Sequence, residues 1–258
     1  MVSASRIKHV SSLRVQKFRE LHKQTLAEGV RLVRELFLTG YPYEEIFATE
    51  RWSEQHPDLW RAASHGVTLC SEKELERMSA LKSPQGVLAV VPIQDERPAL
   101  GHCDITVYCD RISDPGNMGT ILRLADWFGI GQVITGPGSV SLHNPKVIQA
   151  SMGSYFRVHH TVLSLSDLLT VLPATVRVCG AVTNGAPLNL TPVQPKPIVI
   201  VIGNEASGIA PENEERCTEL VTIPGREALP GETAESLNAA MAAAIMCYHF
   251  AVEPAESR

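Results

Sequence analysis

The residues best suited to chemistry lie in DRISDPGNMGTILRLADWFG, residues 110–129. An apolar run, ITVYC (105–109), leads into the glycine-rich turn DPGNMG, and a helical pattern follows it. Such a turn between a strand and a helix presents backbone N–H groups to anions or nucleotides. A dinucleotide-binding fold fits poorly, because GNMG supplies GxxG rather than GxGxxG and the next strand, QVITGPG, ends without a ribose-binding acid.

Arg123 is the charged residue that we expect in the first turns of the following helix, TILRLADWFG. A helix N-terminus carries partial positive charge and disfavours a cation there. Apolar residues at i, i+3, i+4 and i+7 predict the buried face: Ile121, Leu124, Ala125 and Phe128. At ~100° per residue, Arg123 lies about 200° from Ile121 and faces away from the core. Arg123 is therefore either an ordinary surface arginine or a functional one. Its place near a glycine-rich turn, at the carboxyl end of a strand where α/β sheets bind ligands, favours the functional role.

Two further motifs carry polar residues at the ends of predicted elements. In IVIVIGNEASGIAPE (198–212), Glu205 emerges where a buried strand leaves the core, as a ligand-facing acid or as a cap or ion-pair carboxylate. In TIPGREALPGETAESLNAAMAAAIMCYHF (222–250), Ser236 and Asn238 are expected in the first turns of a helix, where capping is their ordinary role. The alanine run that follows predicts close helix packing.

Composition and charge indicate an ordinary soluble protein whose basic residues are unevenly spread. The 258 residues carry a net charge of −5, yet residues 1–40 hold eight Lys/Arg and three Glu, so the remainder is net −10. A basic N-terminal segment either meets a polyanion or is a solvated helix face. Six cysteines without regular spacing indicate reduced, mostly buried thiols in a cytoplasmic protein. No apolar run is long enough to span a membrane, and the nine histidines show no metal-ligand spacing.

The order of predicted elements indicates two α/β domains. A seam rich in proline and charge, PIQDERPALGHCD (92–104), separates a first domain (1–95) from a second (104–258). The first alternates helices (SSLRVQKFRELHK, EGVRLVRELFL, SEKELERMSAL) with short strands (EIFAT, VTLC, GVLAVVP), and Ser71 and Glu74 fit a capping box. In the second, the strands VCGAV and IVIVIG are continuously apolar, which favours a parallel sheet covered on both faces.

Taken together, the three motifs resemble the signatures of the SpoU-type (TrmH-like) RNA ribose 2′-O-methyltransferases of the SPOUT superfamily. The matching segments are DPGNMGTILRLADWFG, IGNEASGI and IP…ESLNAAMAAA, with NPKVIQASMGSYFRV between them. The first domain resembles the ribosomal-protein-L30e-like RNA-binding domain that many members carry. The resemblance implies a C-terminal α/β domain with a deep trefoil knot, a smaller L30e-like N-terminal domain, a homodimer with sites at its interface, and S-adenosyl-L-methionine as cofactor.

The resemblance also assigns roles to individual residues. Catalytic roles fall on Asn117, Arg123, Glu205, Ser236 and Asn238, and cofactor contacts on Thr183, Gly203, Asn204, Ile223, Pro224 and Leu237. Arg123 is expected to bind a phosphate and stabilise the developing alkoxide, because a guanidinium is a poor base; the proton acceptor stays open. The GREALPGETAE linker (225–235) is longer than is usual in the family and is expected to act as a lid or a dimer contact.

The expected substrate is ribosomal RNA, in preference to transfer RNA, because L30e-like modules recognise folded RNA by its shape and splayed-out nucleotides. A transfer RNA methyltransferase and a non-catalytic RNA-binding relative remain alternatives. A nucleotide-dependent oxidoreductase is disfavoured by the missing ribose acid.

Overall fold

Two β-sheets, one of four strands and one of six, are present in residues 1–63, 66–94, 103–225 and 235–252, which the computed structural model describes. The strands are β1 (Gln24–Glu28), β2 (Glu45–Ala48), β3 (Val67–Leu69), β4 (Val87–Pro92), β5 (Ile105–Cys109), β6 (Gln132–Thr135), β7 (His159–Val162), β8 (Arg177–Pro187), β9 (Ile198–Ile202) and β10 (Glu219–Thr222). The helices are α1 (Ala4–Ser12), α2 (Gln16–His22), α3 (Val30–Thr39), α4 (Glu50–Gln55), α5 (Pro57–Ala62), α6 (Glu72–Met78), α7 (Pro115–Trp127), α8 (Pro145–Ser151), α9 (Leu165–Val171), α10 (Pro211–Glu214) and α11 (Ala239–Ala251).

Residues 1–95 and 141–157 form the first compact unit. Its mixed sheet has the strand order β1-β4-β2-β3, in which only β2 and β3 run parallel. Residues 141–157, which the sequence led us to expect in the second domain, pack here. The Thr25 hydroxyl donates to the His143 carbonyl at 2.7 Å, and Arg31 Nε donates to the Met152 carbonyl at 3.2 Å.

The helices of this unit match the prediction at the start of α6 and differ from it over residues 11–23. The capping box at Ser71 and Glu74 is confirmed at the start of α6. The single helix expected over residues 11–23 is wrong, because the chain forms α1 and α2 with a break after Ser12. The residue that α2 buries is Arg19, whereas the apolar residues Phe18 and Leu21 are exposed.

Residues 96–140 and 158–258 form the second unit. Its sheet has the order β10-β8-β9-β5-β6-β7, and every neighbouring pair is parallel, which confirms the predicted parallel sheet. All residues of β5 and β9 are buried, as expected for strands covered on both faces. β10, which the sequence did not reveal, adds a sixth strand beside β8.

The order of strands in the second unit marks where a ligand should bind. From β5, the chain builds β6 and β7 on one side of the sheet and then returns to place β9 on the other side. In open α/β sheets, ligands bind outside the carboxyl ends of the strands at such a reversal of strand order. The first two sequence motifs follow β5 and β9, the two strands on either side of this point.

Candidate active site

The segment after β5 enters α7 earlier than its sequence suggests. The Asp114 carboxylate accepts a hydrogen bond from the Asn117 backbone N–H at 2.8 Å, and Pro115 is the first helical residue. A Cβ on Gly116 would lie 2.9 Å from Asp114 Oδ1, so glycine leaves room for this cap. The prediction that Arg123 sits in the first turns is therefore wrong. Arg123 lies roughly two turns into the helix, beyond the positive end of its dipole.

A chain of hydrogen bonds joins one side chain from each of the three motifs. Asn117 Nδ2 donates to the carboxylate of Glu205, and Asn238 Nδ2 donates to Asn117 Oδ1 at 3.0 Å. Asn238 Oδ1 in turn accepts the backbone N–H groups of Ala240 and Met241, at 2.9 and 3.3 Å. Both asparagines thus donate and accept at once, and the chain of bonds orients Glu205 at the carboxyl edge of the sheet.

Asn238 is the N-cap of α11, and Ser236 lies exposed two residues before the cap. The expectation that both residues lie within the first turns of the helix is wrong by a few residues. The reason is that the Asn238 side chain bonds the helix's own free N–H groups, and therefore ends the extended segment just before Ala239.

The loop after β9 is held in a single shape by its own backbone. Asn204 and Gly208 exchange two hydrogen bonds of 3.0 and 2.9 Å, and a Cβ on Gly203 would lie 2.4 Å from the Gly208 backbone. Asn204 Nδ2 also donates to the Arg111 carbonyl at 3.0 Å, which ties this loop to the end of β5. The position of Glu205 is therefore fixed by the backbone on both sides.

The sequence prediction missed two residues at this edge, Asp110 and Arg111. The buried Asp110 carboxylate accepts the Ala210 N–H at 2.5 Å. Arg111 has φ of 57°, a left-handed conformation uncommon outside glycine, and its guanidinium lies 3.7 Å from Asp110 and 3.5 Å from the Gly208 carbonyl. Their adjacency to the end of an apolar strand is the only signal that the sequence offers.

The neighbouring strands β8 and β10 form a second part of the edge. Leu220 and Val221 pair with Gly180 and Ala186, so residues 181–185 bulge out of the ladder. The Thr222 hydroxyl donates to the Thr183 carbonyl at 3.0 Å, which places Thr183 beside the end of β10. Ile223 and Pro224 follow directly, while residues 226–234, most of the long linker, lie outside the described residues.

Arg123 is exposed on α7, as the helical pattern predicts. It lies six residues beyond Asn117, roughly 9 Å along the helix axis. Within the described ranges, no hydrogen bond or ion pair engages its guanidinium. The structure thus joins Asn117, Glu205 and Asn238 directly, and leaves Arg123, Ser236 and Leu237 outside this chain of bonds.

The cysteines are free, and four of the six are buried, as expected. Burial raises the pKa of Cys109 well above its ordinary value and that of Cys247 to about 12. Both groups therefore stay protonated near neutrality and are poor nucleophiles. Among the described residues, no group of three or more His, Cys, Asp or Glu side chains could hold a metal ion. No helix in the same ranges combines the length and apolar character needed to cross a membrane.

Comparisons with known proteins bear on both units. Residues 104–248 match the SpoU rRNA Methylase family, and residues 4–89 match the MRM3-like substrate binding domain. The chain is 30% identical over 246 residues to the 23S rRNA (guanosine(2553)-2′-O)-methyltransferase RlmP of Bacillus subtilis, with 95% of each protein covered.

Solved structures agree with these matches. A TrmH-family protein from Porphyromonas gingivalis is 36% identical, with a TM-score of 0.84, and the alignment covers 97% of this chain and 98% of that one. The AdoMet-bound rRNA methyltransferase of Sinorhizobium meliloti is 25% identical, with a TM-score of 0.81, and the alignment covers 97% and 96% of the two chains.

Proposed function

The chain belongs to the SpoU rRNA methylase family, and we propose that it methylates a ribose 2′-hydroxyl of ribosomal RNA. The observation that carries the proposal is the hydrogen-bond chain Glu205–Asn117–Asn238. It joins three motifs at the edge where an α/β sheet binds ligands, and Glu205 and Asn238 lie 88 and 121 residues after Asn117 along the chain.

The family uses S-adenosyl-L-methionine, and the described residues fit that group. A nucleoside cofactor needs apolar contact for its base and backbone groups for its polar edges. Leu237 is exposed and Ile223 half-buried, and the β8 bulge leaves residues 181–185 opposite no residue of β10. The residues that would hold it are Thr183, Gly203, Asn204, Ile223, Pro224 and Leu237. When bound, S-adenosyl-L-methionine supplies an electrophilic methyl group.

The side chains of this protein position the RNA and stabilise its charge. Arg123 binds a phosphate beside the target ribose, and its guanidinium stabilises the negative charge that develops on the 2′-oxygen. It cannot accept the proton, because arginine stays protonated. Glu205 accepts the hydrogen bond of the 2′-hydroxyl with the carboxylate oxygen that Asn117 does not use. Asn117 and Asn238 are positioning residues for that carboxylate. Ser236 is the remaining polar residue of the site.

The substrate assignment rests on both halves of the chain. The relative from Bacillus subtilis is named for 23S rRNA, and the first unit matches a domain described as substrate binding. Ribosomal RNA is therefore favoured over transfer RNA. The net charge of +5 over residues 1–40 agrees with a polyanionic partner.

A second copy of the chain completes the assembly through α11. This helix contains no Lys, Arg, Asp or Glu, and Met241, Ile245 and Tyr248 are exposed at i, i+4 and i+7. A helix that is apolar all round is ordinarily buried. Asn238 caps the same helix, so a dimer through this face brings the partner close to the hydrogen-bond chain.

Two further features belong to this proposal. The segment that carries β10 and α11 threads a trefoil knot beside the bulged β8. The protein works in the cytoplasm, where free thiols such as its cysteines persist.

Replacing Arg123 tests the assignment of chemistry. Arg123→Ala should lower the rate of methyl transfer to rRNA by roughly 100-fold or more, as loss of one charge-stabilising donor does. The affinity for S-adenosylmethionine, measured by calorimetry, should stay within about twofold, since the proposed cofactor residues lie elsewhere. Arg123→Lys serves as the charge-conserving control and should keep part of the activity. Full activity of Arg123→Ala would refute the role given to this residue.

A further inference from the structure

Helix α2 presents an apolar face to solvent, in the reverse of the usual arrangement. Val15, at its N-cap, is 52% exposed, Phe18 is 36% exposed and Leu21 is 67% exposed. A short surface helix is normally stabilised by burying such a face. Gln16 and Glu20 are also exposed here, and we give the name α2 surface to the apolar, aromatic and basic residues among the exposed ones: Arg14, Val15, Lys17, Phe18, Leu21, His22 and Lys23.

A buried arginine, rather than the apolar residues, anchors α2. Arg19 is only 3% exposed, and its Nη1 donates to the carbonyls of Leu13 and Arg14 at 3.1 and 2.9 Å. These carbonyls lie just beyond α1, so the guanidinium joins the two helices. The anchoring therefore leaves Phe18 and Leu21 free to contact another molecule.

Aromatic rings on this surface lie close to one another. The rings of Phe18 and His22 are nearly parallel, at 12°, with centroids 6.4 Å apart. His9 meets the ring of His22 edge-on at 4.5 Å, and its Nε2 is hydrogen-bonded to Gln24 Oε1 at 2.7 Å. Parallel rings held in this way offer a flat apolar support on which a planar group can stack.

Positive charge surrounds these rings, although the whole protein is net negative. Lys8, Arg14, Lys17 and Lys23 are exposed on or beside α1 and α2. The one acid on α2, Glu20, accepts a hydrogen bond from Gln16 at 2.7 Å. Arg14 Nη2 donates to the Arg77 carbonyl at 2.5 Å, which fixes this guanidinium, and its charge also acts on the carboxylate of Glu28. The charge selects an anionic partner, and the rings select one with planar groups.

We propose that the α2 surface binds unpaired nucleotides of the RNA substrate, with a base stacked on Phe18 or His22 and phosphates held by Lys17 and Arg14. The proposal rests on the proposed function, since RNA is the polyanion it supplies. Aromatic rings interleaved with basic residues are the general means of binding single-stranded nucleic acid, because every base has a face that can stack. Leu21 and Val15 extend the apolar surface that the bases would contact.

The test compares Phe18→Ala with Leu38→Ala. Leu38 is the control, an apolar residue on α3 of the same unit that is more exposed than Phe18, at 74% against 36%. Phe18→Ala should raise both the Kd for an unmodified rRNA fragment and the KM for methyl transfer by roughly tenfold, while kcat stays within about twofold. Phe18→Trp should restore binding, and Leu38→Ala should behave as the wild type. Circular dichroism checks that all variants are folded.

Lys17→Ala provides a second, independent readout. It should reduce the slope of log Kd against log salt by about 0.7, the value for one phosphate contact on a single strand. Wild-type affinity and salt slope in both Phe18→Ala and Lys17→Ala would overturn the inference. So would Phe18-dependent binding to phosphatidylserine vesicles with RNA binding unchanged, which would assign the surface to a membrane.

The outcomes separate this inference from the proposed function. If the wild type methylates rRNA and the α2 variants have the same RNA affinity and KM as the wild type, only the role proposed for the α2 surface is refuted. If the wild type binds rRNA through Phe18 but transfers no methyl group, the surface stands and the enzymatic proposal fails. If the wild type does not bind RNA, both fail.

Discussion

Two helices of this protein expose apolar side chains, and their surroundings differ sharply. On α2, Phe18 and Leu21 lie among exposed lysine and arginine residues. On α11, Ile245 and Tyr248 lie on a helix without a single Lys, Arg, Asp or Glu. Grouped exposed apolar side chains are the reason that we propose both as contact surfaces. The neighbouring charge then distinguishes the partners that we propose, RNA for α2 and a second copy of the chain for α11.

A charged residue placed on either surface should produce the largest effects, on dimerisation for α11 and on RNA binding for α2. Ile245→Glu should shift the protein to a monomer by light scattering, because an uncompensated buried charge costs about 3–5 kcal/mol, or roughly a hundredfold or more in the dimer dissociation constant. Leu21→Glu should leave the dimer intact and weaken RNA binding. A dimer that survives Ile245→Glu would show that α11 is not the interface.

The salt concentration should affect RNA binding and dimerisation differently in the wild-type protein. Raising the salt concentration from 50 to 200 mM should weaken RNA binding by roughly sevenfold for every two phosphates contacted on a single strand. The dimer dissociation constant should hardly change, because apolar burial is insensitive to screening. Filter binding measures the RNA affinity, and sedimentation measures the dimer dissociation constant. An equal salt dependence of these two quantities would show that the dimer interface is ionic.

The smallest expected effect comes from a cap in the same unit as α2. Ser71→Ala removes the hydroxyl that accepts the Glu74 N–H at 3.3 Å and should lower the free energy of unfolding by about 1 kcal/mol. Urea unfolding measures this loss. RNA affinity should be unchanged, since the cap lies outside the α2 surface. A parallel loss of RNA affinity would mean that binding follows stability rather than the α2 residues.

Much of the site could be predicted from sequence because its residues follow strands. In a parallel sheet the carboxyl ends meet at one edge, so motifs after β5 and β9 must converge. The bonds from Asn117 to Glu205 and from Asn238 to Asn117 show that three of the predicted residues do meet. The roles in catalysis and cofactor binding remain predictions.

Other features depend on contacts that periodicity does not encode. The start of α7 at Pro115 is set by the cap at Asp114, which outweighs two glycines in the first turns. β1 and β10 are short and weakly apolar, and exist because a neighbouring strand offers hydrogen bonds. The exposure of Phe18 follows from the burial of Arg19, a reversal that no hydrophobic pattern predicts.

Tritium transfer from labelled S-adenosylmethionine tests whether this protein methylates a ribose of ribosomal RNA. The substrates are rRNA and tRNA that both lack the modification. We expect label in rRNA, recovered after alkaline hydrolysis as a resistant dinucleotide, because a methylated 2′-oxygen cannot attack the adjacent phosphate. Label in tRNA alone would contradict the substrate assignment. Label released in alkali-sensitive mononucleotides would contradict ribose methylation itself.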